Sequence, residues 1–323
     1  MPDPIVECVP NFSEGRRMEV IEMILQAVQS VPDALVLDCD ADSDHNRTVV
    51  TMAGPADSLE QAAYAAIAVA ADRIDLRRHS GVHPRIGAAD VVPFVPVRNA
   101  GMALCIALAN RLGRRVGEEL GLPVYLYGKA AVRSDRQSLA AIRRGEFEGL
   151  PAAMASDPGR KPDYGPARVG PAGATAIGAR GPLIAFNIYL DSQEVELARS
   201  IARRIRSSSG GLPCLQALGL PVRGRAQVSM NLTDFTRTSL PDAYQAVRRA
   251  AGELGVRIAW SEIIGLLPAA AMAGISPADL QITDFSPEKI LEQRLETALH
   301  AKSAQRHPST RTEEESSGGH HPA

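Results

Sequence analysis

Two stretches of this chain run through the same order of elements, and that order restricts the fold more than any single motif. Apolar runs of strand length alternate with segments of helical period. Ile5-Val6-Glu7-Cys8-Val9 reads as a short buried strand. Val20, Ile21, Met23, Ile24, Ala27 and Val28 predict a helix over 18–28. Strands follow at Ala34–Asp38 and Thr48–Met52, then an Ala-rich helix from Ser58 to Ile74 and an extended segment Val91–Val97. Pro93 and Pro96 place that last segment at a sheet edge or in an irregular run. Strand, helix, strand, strand, helix, strand is the split βαβ arrangement. A second copy starts at Leu183–Leu190 and continues with a helix over 192–206 and strands near Cys214–Leu218 and Ala226–Leu232. Ser239-Leu240-Pro241-Asp242 then caps a helix, with Pro at an early helical position. Arg257–Ile264 is the last strand. The repeat lies in the order of elements, not in residue identity, and the class it predicts is α+β.

Between the copies the pattern predicts a helix near Ala100–Leu120, a strand Val124–Tyr127, a helix Arg136–Arg144 and a Pro/Gly-rich loop over Asp157–Gly181. Loops beyond about 12–15 residues are usually functional or disordered. The expected division is 1–180 and 181–298, with 299–323 a disordered tail that is almost devoid of apolar residues. That tail holds His300, His307, His320 and His321, read as solvated rather than metal-binding.

Composition narrows the function classes. With 35 basic and 37 acidic residues among 323, the formal charge is -2, which gives no electrostatic reason to expect nucleic acid or an anionic membrane. No apolar run nears the roughly 18–20 residues of a membrane span. The first residues lack the basic start and apolar core of a secretory signal. Cys8, Cys39, Cys105 and Cys214 lie far apart, which reads as reduced thiols in a soluble cytoplasmic protein.

Outside the tail three histidines remain: His45, His79 and His83. The last two sit in Arg77-Arg78-His79-Ser80-Gly81-Val82-His83-Pro84-Arg85. Spacing of four suggests a helical metal pair, but Gly81 and Pro84 make a regular helix improbable and no HExxH glutamate is present. Two readings stay open, a general acid/base histidine and a surface loop histidine packed by arginines. Arg77, Arg78, Arg85 and Arg98 would concentrate positive potential, keep a neighbouring imidazole neutral and attract a polyanionic substrate. The acidic run Asp38-Cys39-Asp40-Ala41-Asp42-Ser43-Asp44 fails the calcium-loop spacing, since neither Gly nor Glu falls where it is needed. It is either a polar turn between strands or a carboxylate aimed at a catalytic histidine or a cationic group. No dinucleotide, Walker, nucleophile-elbow or kinase motif is present.

Glu7-Cys8-Val9-Pro10-Asn11-Phe12-Ser13-Glu14-Gly15, Asn46-Arg47-Thr48-Val49, His83-Pro84-Arg85-Ile86-Gly87-Ala88 with Asp90-Val91 and Pro93-Phe94, Pro123–Gly128, Arg144-Gly145-Glu146-Phe147-Glu148 and Gly178-Ala179-Arg180 resemble glutamate formimidoyltransferase. The match is strong over about 4–190 and fainter to about 295. The resemblance implies two tandem ferredoxin-like subdomains with antiparallel sheets and helices on one face. It implies transfer of a formimino group from N-formimino-L-glutamate to N5 of tetrahydrofolate, in histidine breakdown, by a free-standing transferase without the cyclodeaminase. Tetrahydrofolate is then a co-substrate, no metal is required, and a homodimer is expected.

The family's catalytic histidine falls on His83. Its folate loop falls on Gly165-Pro166-Ala167-Arg168-Val169-Gly170-Pro171-Ala172-Gly173-Ala174, with Ala172 where the animal members carry Trp. Asp40 is assigned to orient His83 or hold the amidinium charge. Arg47 and Arg85 are assigned to substrate carboxylates, with structural ion pairs as the alternative. A sibling enzyme with another donor and an inactive folate-binding module remain the competing readings.

Overall fold

The computed structural model describes residues 4–306. The first copy of the pattern forms as β1 (Ile5–Cys8), a two-residue β2 (Asn11–Phe12), α1 (Met18–Gln29), β3 (Leu35–Asp42), β4 (Arg47–Pro55), α2 (Ala56–Arg73) and β5 (Ala89–Arg98). Then come α3 (Met102–Glu119), β6 (Val124–Gly128), α4 (Leu139–Ile142), α5 (Glu146–Ser156) and β7 (Thr175–Ala179). The second copy is β8 (Ile184–Leu190), α6 (Val195–Ile205), β9 (Leu215–Val222), β10 (Arg225–Leu232), α7 (Leu240–Glu253) and β11 (Ile258–Ile264), followed by α8 (Leu291–Arg306).

The second sheet is antiparallel throughout, in the order β11-β8-β10-β9. In the first, β3, β4, β1 and β5 pair antiparallel in the equivalent order. β7 and β6 extend it beyond β5, and both of their ladders are parallel. The expectation of purely antiparallel sheets is corrected here. A chain that leaves β5 and returns through α3 re-enters the sheet in the same direction, as helical crossovers require. β5 is consequently central, between β1 and β7, and not at an edge. Its prolines are accommodated where the ladder gives: the β1 register shifts between Ile5 and Val6, and Val6 faces Pro96.

Helices cover one face of the second sheet but both faces of the first, where α4, α5 and α8 lie opposite α1, α2 and α3, which corrects the expectation of helices on one face. α1, α2 and α3 bury Val6, Cys8, Val50, Met52, Val92 and Phe94, while α6 and α7 bury Phe186, Ile188 and Val228. The small residues Ala62, Ala63, Ala66 and Ala70 are the buried stripe of α2, which lets neighbouring helices approach closely.

α8 lies on the opposite face of the first sheet, where Leu291 and Leu295 pack against Leu37 and Ala53. Arg294 Nε donates to the Leu37 carbonyl at 2.6 Å, and Lys302 pairs with Asp33 at 3.0 Å. The tail expected from 299 is therefore helix as far as 306. His300 is exposed on that helix, while the rest of the expected tail, 307–323 with His307, His320 and His321, lies outside the described residues. Among the described residues no helix is long and apolar enough to cross a membrane.

Leu295 is 1% exposed at this seam. Leu295→Ala is expected to cost about 2–4 kcal/mol, as cavity-forming leucine truncations do, in urea unfolding followed by Trp260 fluorescence.

Candidate active site

β3 runs on through the acidic cluster to Asp42, so the turn into β4 is only Ser43–Asn46. Asp42 Oδ1 accepts the backbone N–H groups of Asp44 (2.9 Å) and His45 (2.8 Å), an Asx turn. Asn46 takes a positive φ of 47° and reaches both ways, accepting from Gly15 N–H at 2.9 Å and donating to the Ser80 carbonyl at 3.0 Å. Val82 N–H donates to the Asp44 carbonyl at 3.2 Å. A Cβ at Gly81 would lie 2.3 Å from the His45 carbonyl oxygen, so only glycine lets the histidine loop sit this close. The turn thereby seats His79, His83 and His45 together.

The two histidines of the loop differ in a way the sequence leaves open. His79 Nδ1 accepts from Arg85 Nε at 3.2 Å, so its Nε2–H donates to the Asn46 carbonyl at 2.9 Å. Both of its nitrogens are occupied, and burial lowers its pKa. His83 Nδ1 lies 2.8 Å from the Pro84 carbonyl, which only accepts, so the proton sits on Nδ1 and the Nε2 lone pair is free. Burial pushes its pKa well below the ordinary value, and Arg47 and Arg143 push it further; Asp90 offsets them only in part. His83 is a neutral imidazole with one open nitrogen, and its ring centroid lies 5.9 Å from that of His45.

The charge around His83 comes from a hub on Asp90. This carboxylate is fully buried and accepts from the Ile86 N–H at 2.9 Å, from Arg47 at 2.8 Å and from Arg143. Two guanidiniums on one carboxylate leave a net positive charge beside the imidazole. Burial opposes the Asp90 carboxylate, but Arg143 and Arg47 hold it well below the usual range. Burial lowers Arg47 to about 10, still cationic at neutral pH. Arg143 Nε is buried with no hydrogen-bond partner among the described residues, leaving a donor for an incoming acceptor.

Arg85 is committed elsewhere: its guanidinium holds Glu148 at 2.6 and 2.8 Å and Glu146 at 3.1 Å. An open depression of about 490 Å³ on that side is lined by His79, Gly81, Arg85, Glu146 and Glu148. Its carboxylate walls do not suit an anionic substrate, and His83 is not among its lining residues.

The loop from Gly165 to Ala174 does reach the site. Its end is stitched to the segment after His83: Ala88 N–H donates to the Ala172 carbonyl at 2.8 Å and Ala174 N–H to the Ile86 carbonyl at 2.9 Å. Gly173, at φ 74°, makes this possible, since a Cβ there would stand 2.1 Å from the Ile86 oxygen. Gly165, Ala167, Arg168, Gly170 and Pro171 are exposed, with Pro166 and Val169 between. Ala172 is buried in the first core and presents no stacking surface.

Asp40 is not joined to His83 by any hydrogen bond among the described residues; it pairs with Lys289 at 3.7 Å. Asp42, one alternation further along β3, is the aspartate brought to the histidines, with Oδ1 3.0 Å from His45 Nδ1. Reading from residues alone passed over Asp42, Asp90 and Arg143. Asp90 and Arg144, the neighbour of Arg143, lay inside quoted motifs, but nothing local marks a buried ion pair between positions 53 apart.

The second subdomain closes one side. Val82, next to His83, packs against the cluster of Tyr189, Leu220 and Val222. Arg223, in the β9–β10 turn, reaches Asp42 at 3.4 Å and Glu262 at 3.1 Å, and its backbone N–H donates to Asp44 at 2.6 Å.

Models of known families match nearly the whole described chain. That of the formiminotransferase domain, N-terminal subdomain, covers residues 5–180, and that of the formiminotransferase domain covers 185–291. The chain belongs to the formiminotransferase family. It is 41% identical over 295 residues to the glutamate formimidoyltransferase of Streptococcus pyogenes serotype M1, spanning 90% of this chain and 98% of that one. The glutamate formimidoyltransferase of Thermoplasma acidophilum is 45% identical over 300 residues, 92% of this chain and 99% of the relative. The formimidoyltransferase-cyclodeaminase of Rattus norvegicus is 45% identical over 277 residues, 83% of this chain but only 51% of the longer protein.

Within this formiminotransferase, Asp90→Asn would strip the charge that holds two buried guanidiniums. A loss of about 3–5 kcal/mol is expected in urea unfolding, whereas Glu146→Gln, at a half-exposed pair, is expected to cost less than about 1 kcal/mol.

Proposed function

We propose that this chain transfers the formimino group from N-formimino-L-glutamate to N5 of tetrahydrofolate, releasing 5-formiminotetrahydrofolate and L-glutamate. The observation that carries the reading is the neutral His83, its Nε2 without a partner among the described residues, in a positively charged site whose following segment is bonded to the end of the 165–174 loop. Membership of a family whose relatives bear the transferase's name supplies the substrates.

N5 attacks the amidine carbon and a tetrahedral intermediate forms. His83 Nε2 takes the proton from N5 and returns it to the departing glutamate nitrogen, base first and acid second. Holding both substrates in line supplies much of the remaining acceleration. The donor's carboxylates suit the net charge of the Arg47–Asp90–Arg143 hub, and Arg143 Nε is the open donor in it. Arg85 is left a structural role by its pairs with Glu146 and Glu148. Asp40, turned toward Lys289 rather than His83, is assigned the amidinium charge rather than the orientation of the ring. The pterin and its tail are assigned to the loop from Gly165 to Ala174.

The test mixes purified protein with tetrahydrofolate and formiminoglutamate and follows the adduct by absorbance. Appearance of the adduct supports the reading. Formation only from a formyl donor, or folate binding without turnover, overturns it. His83→Ala is expected to lower kcat by about 10²–10⁴-fold while leaving the fold intact.

A base works in its neutral form, and a lowered pKa keeps it neutral until the pH falls through that lowered value. kcat/KM is therefore expected to stay level down to pH 6.5, the ordinary imidazole value, and to drop only below it. Arg143→Ala removes one cation, so the acid limb is expected to move upward. The same change is expected to raise KM for formiminoglutamate at least about tenfold, the size of one lost charge-assisted hydrogen bond.

A further inference from the structure

Counting hydrogens in the proposed transfer leaves a step that one imidazole does not complete. The donor enters as an amidinium with one hydrogen on the nitrogen that bears the glutamate carbon. Glutamate departs at neutral pH with three on that nitrogen. One is original and one comes from N5 by way of His83, so the third is taken up from solvent. His83 is ill suited to store it, because an imidazolium there would face Arg47 and Arg143 in a buried setting.

The turn between β3 and β4 holds a second imidazole at the right place. The His45 ring lies 5.9 Å from that of His83, centroid to centroid, and is tilted by 59°. The two rings are neighbours but not in hydrogen-bond contact, so a proton passing between them needs a water or a substrate N–H as intermediary. Its Nδ1 stands 3.0 Å from Asp42 Oδ1, so Nδ1–H donates to the carboxylate and Nε2 is left for exchange. Burial opposes the Asp42 carboxylate, but the ring and backbone of His45, with Arg223, hold it well below the usual range and therefore ionised.

We infer that His45, oriented by Asp42, is a positioning residue that relays a solvent proton through His83 to the departing glutamate nitrogen. The inference rests on the proposed transfer. In that sequence the N5–carbon bond forms and the bond from carbon to the glutamate nitrogen breaks. The N5 proton passes to His83 and on to that nitrogen. His45 Nε2 takes a proton from solvent and passes it by way of His83 Nε2 to the freed amine, which leaves both imidazoles neutral again.

The groups that bear on His45 come from several elements. Asp42 and Asp44 are on its own strand and turn, and Arg16, from the segment after β2, donates through Nε to the Ser43 carbonyl at 2.8 Å. Arg223 reaches in from the β9–β10 turn. His79 and His83 face it from the loop before β5, with Arg47, Arg143 and Asp90 behind His83.

The test compares the full chain with His45→Gln and Asp42→Asn in the formimino-transfer assay, across pH and in H2O and D2O. In His45→Gln, kcat is expected to fall about tenfold with KM within about twofold of the parent. kcat should also decline more steeply as pH rises, the solvent isotope effect should grow, and added imidazole should restore part of the rate. Asp42→Asn, which keeps the ring and serves if His45→Gln does not fold, should show the same signs more weakly. Unchanged pH dependence and isotope effect, or a loss confined to KM, would overturn the relay. A parent that forms no adduct overturns the proposed transfer itself, and the relay with it, whereas an active parent with indifferent variants overturns the relay alone.

Discussion

The carboxylate of Asp90 is the contact on which the site depends. It is the first polar residue of the central strand β5, fully buried, and it gathers a strand neighbour, a loop and a distant helix end. Arg47 comes from β4, Ile86 N–H from the histidine loop, and Arg143 from the end of α4. A buried ion pair is a costly way to add stability, since desolvation takes back most of the attraction. Its value here is positional: a hydrophobic replacement would close the gap between β4 and α4 but would leave no field at His83. One carboxylate against two guanidiniums both fixes the loop and sets the sign of the potential that lowers the imidazole pKa.

The elements with strong periodicity were legible from residues alone, and those that depend on distant partners were not. α1, α3, α7 and β11 fall within a few residues of their expected places, and the Ser239–Asp242 capping box forms as a local rule demands. β7 escaped because Thr-Ala-Ile-Gly-Ala has little strand preference of its own; it is a strand because β5 and β6 flank it on both sides. α5 carries Pro151 in its second turn, which removes one bond of the ladder and discourages a helical reading, and only its packing of Leu150 and Met154 against β6 marks it as a helix. α8 is almost without an apolar stripe, and only the complementary patch at Leu37 and Ala53 makes its leucines meaningful.

The same division runs through the site. His83 and the 165–174 loop are assigned through the resemblance, the first on the contiguous His83-Pro84-Arg85 motif and the second on its place before Gly178-Ala179-Arg180. Choosing between His79 and His83 needed the hydrogen bonds of each ring nitrogen, which local spacing does not contain. Arg85 looked like a carboxylate ligand until Glu146 and Glu148 appeared on it. The acidic run offered four alternating aspartates, and which of them meets a histidine depends on where β3 stops. It stops at Asp42, so Asp42 turns toward His45 while Asp40 turns toward Lys289.

The two copies of the split βαβ unit have parted in role. The first carries the ionisable groups near the imidazole, and the second contributes a wall: Val82 is held against Tyr189, Leu220 and Val222, and Arg223 straps the turn that carries His45. That wall has a chemical consequence. A lowered imidazole pKa makes His83 a weak base but a strong acid, so it suits a reaction in which the proton is held only briefly between two nitrogens. Such a site works only if water is partly kept out, since open solvent would screen Arg47 and Arg143 and let the pKa drift back. The β9–β10 turn reaches Asp42 and Asp44 through Arg223, so in the proposed transfer the second subdomain would shape the surroundings of the proton carrier without supplying one.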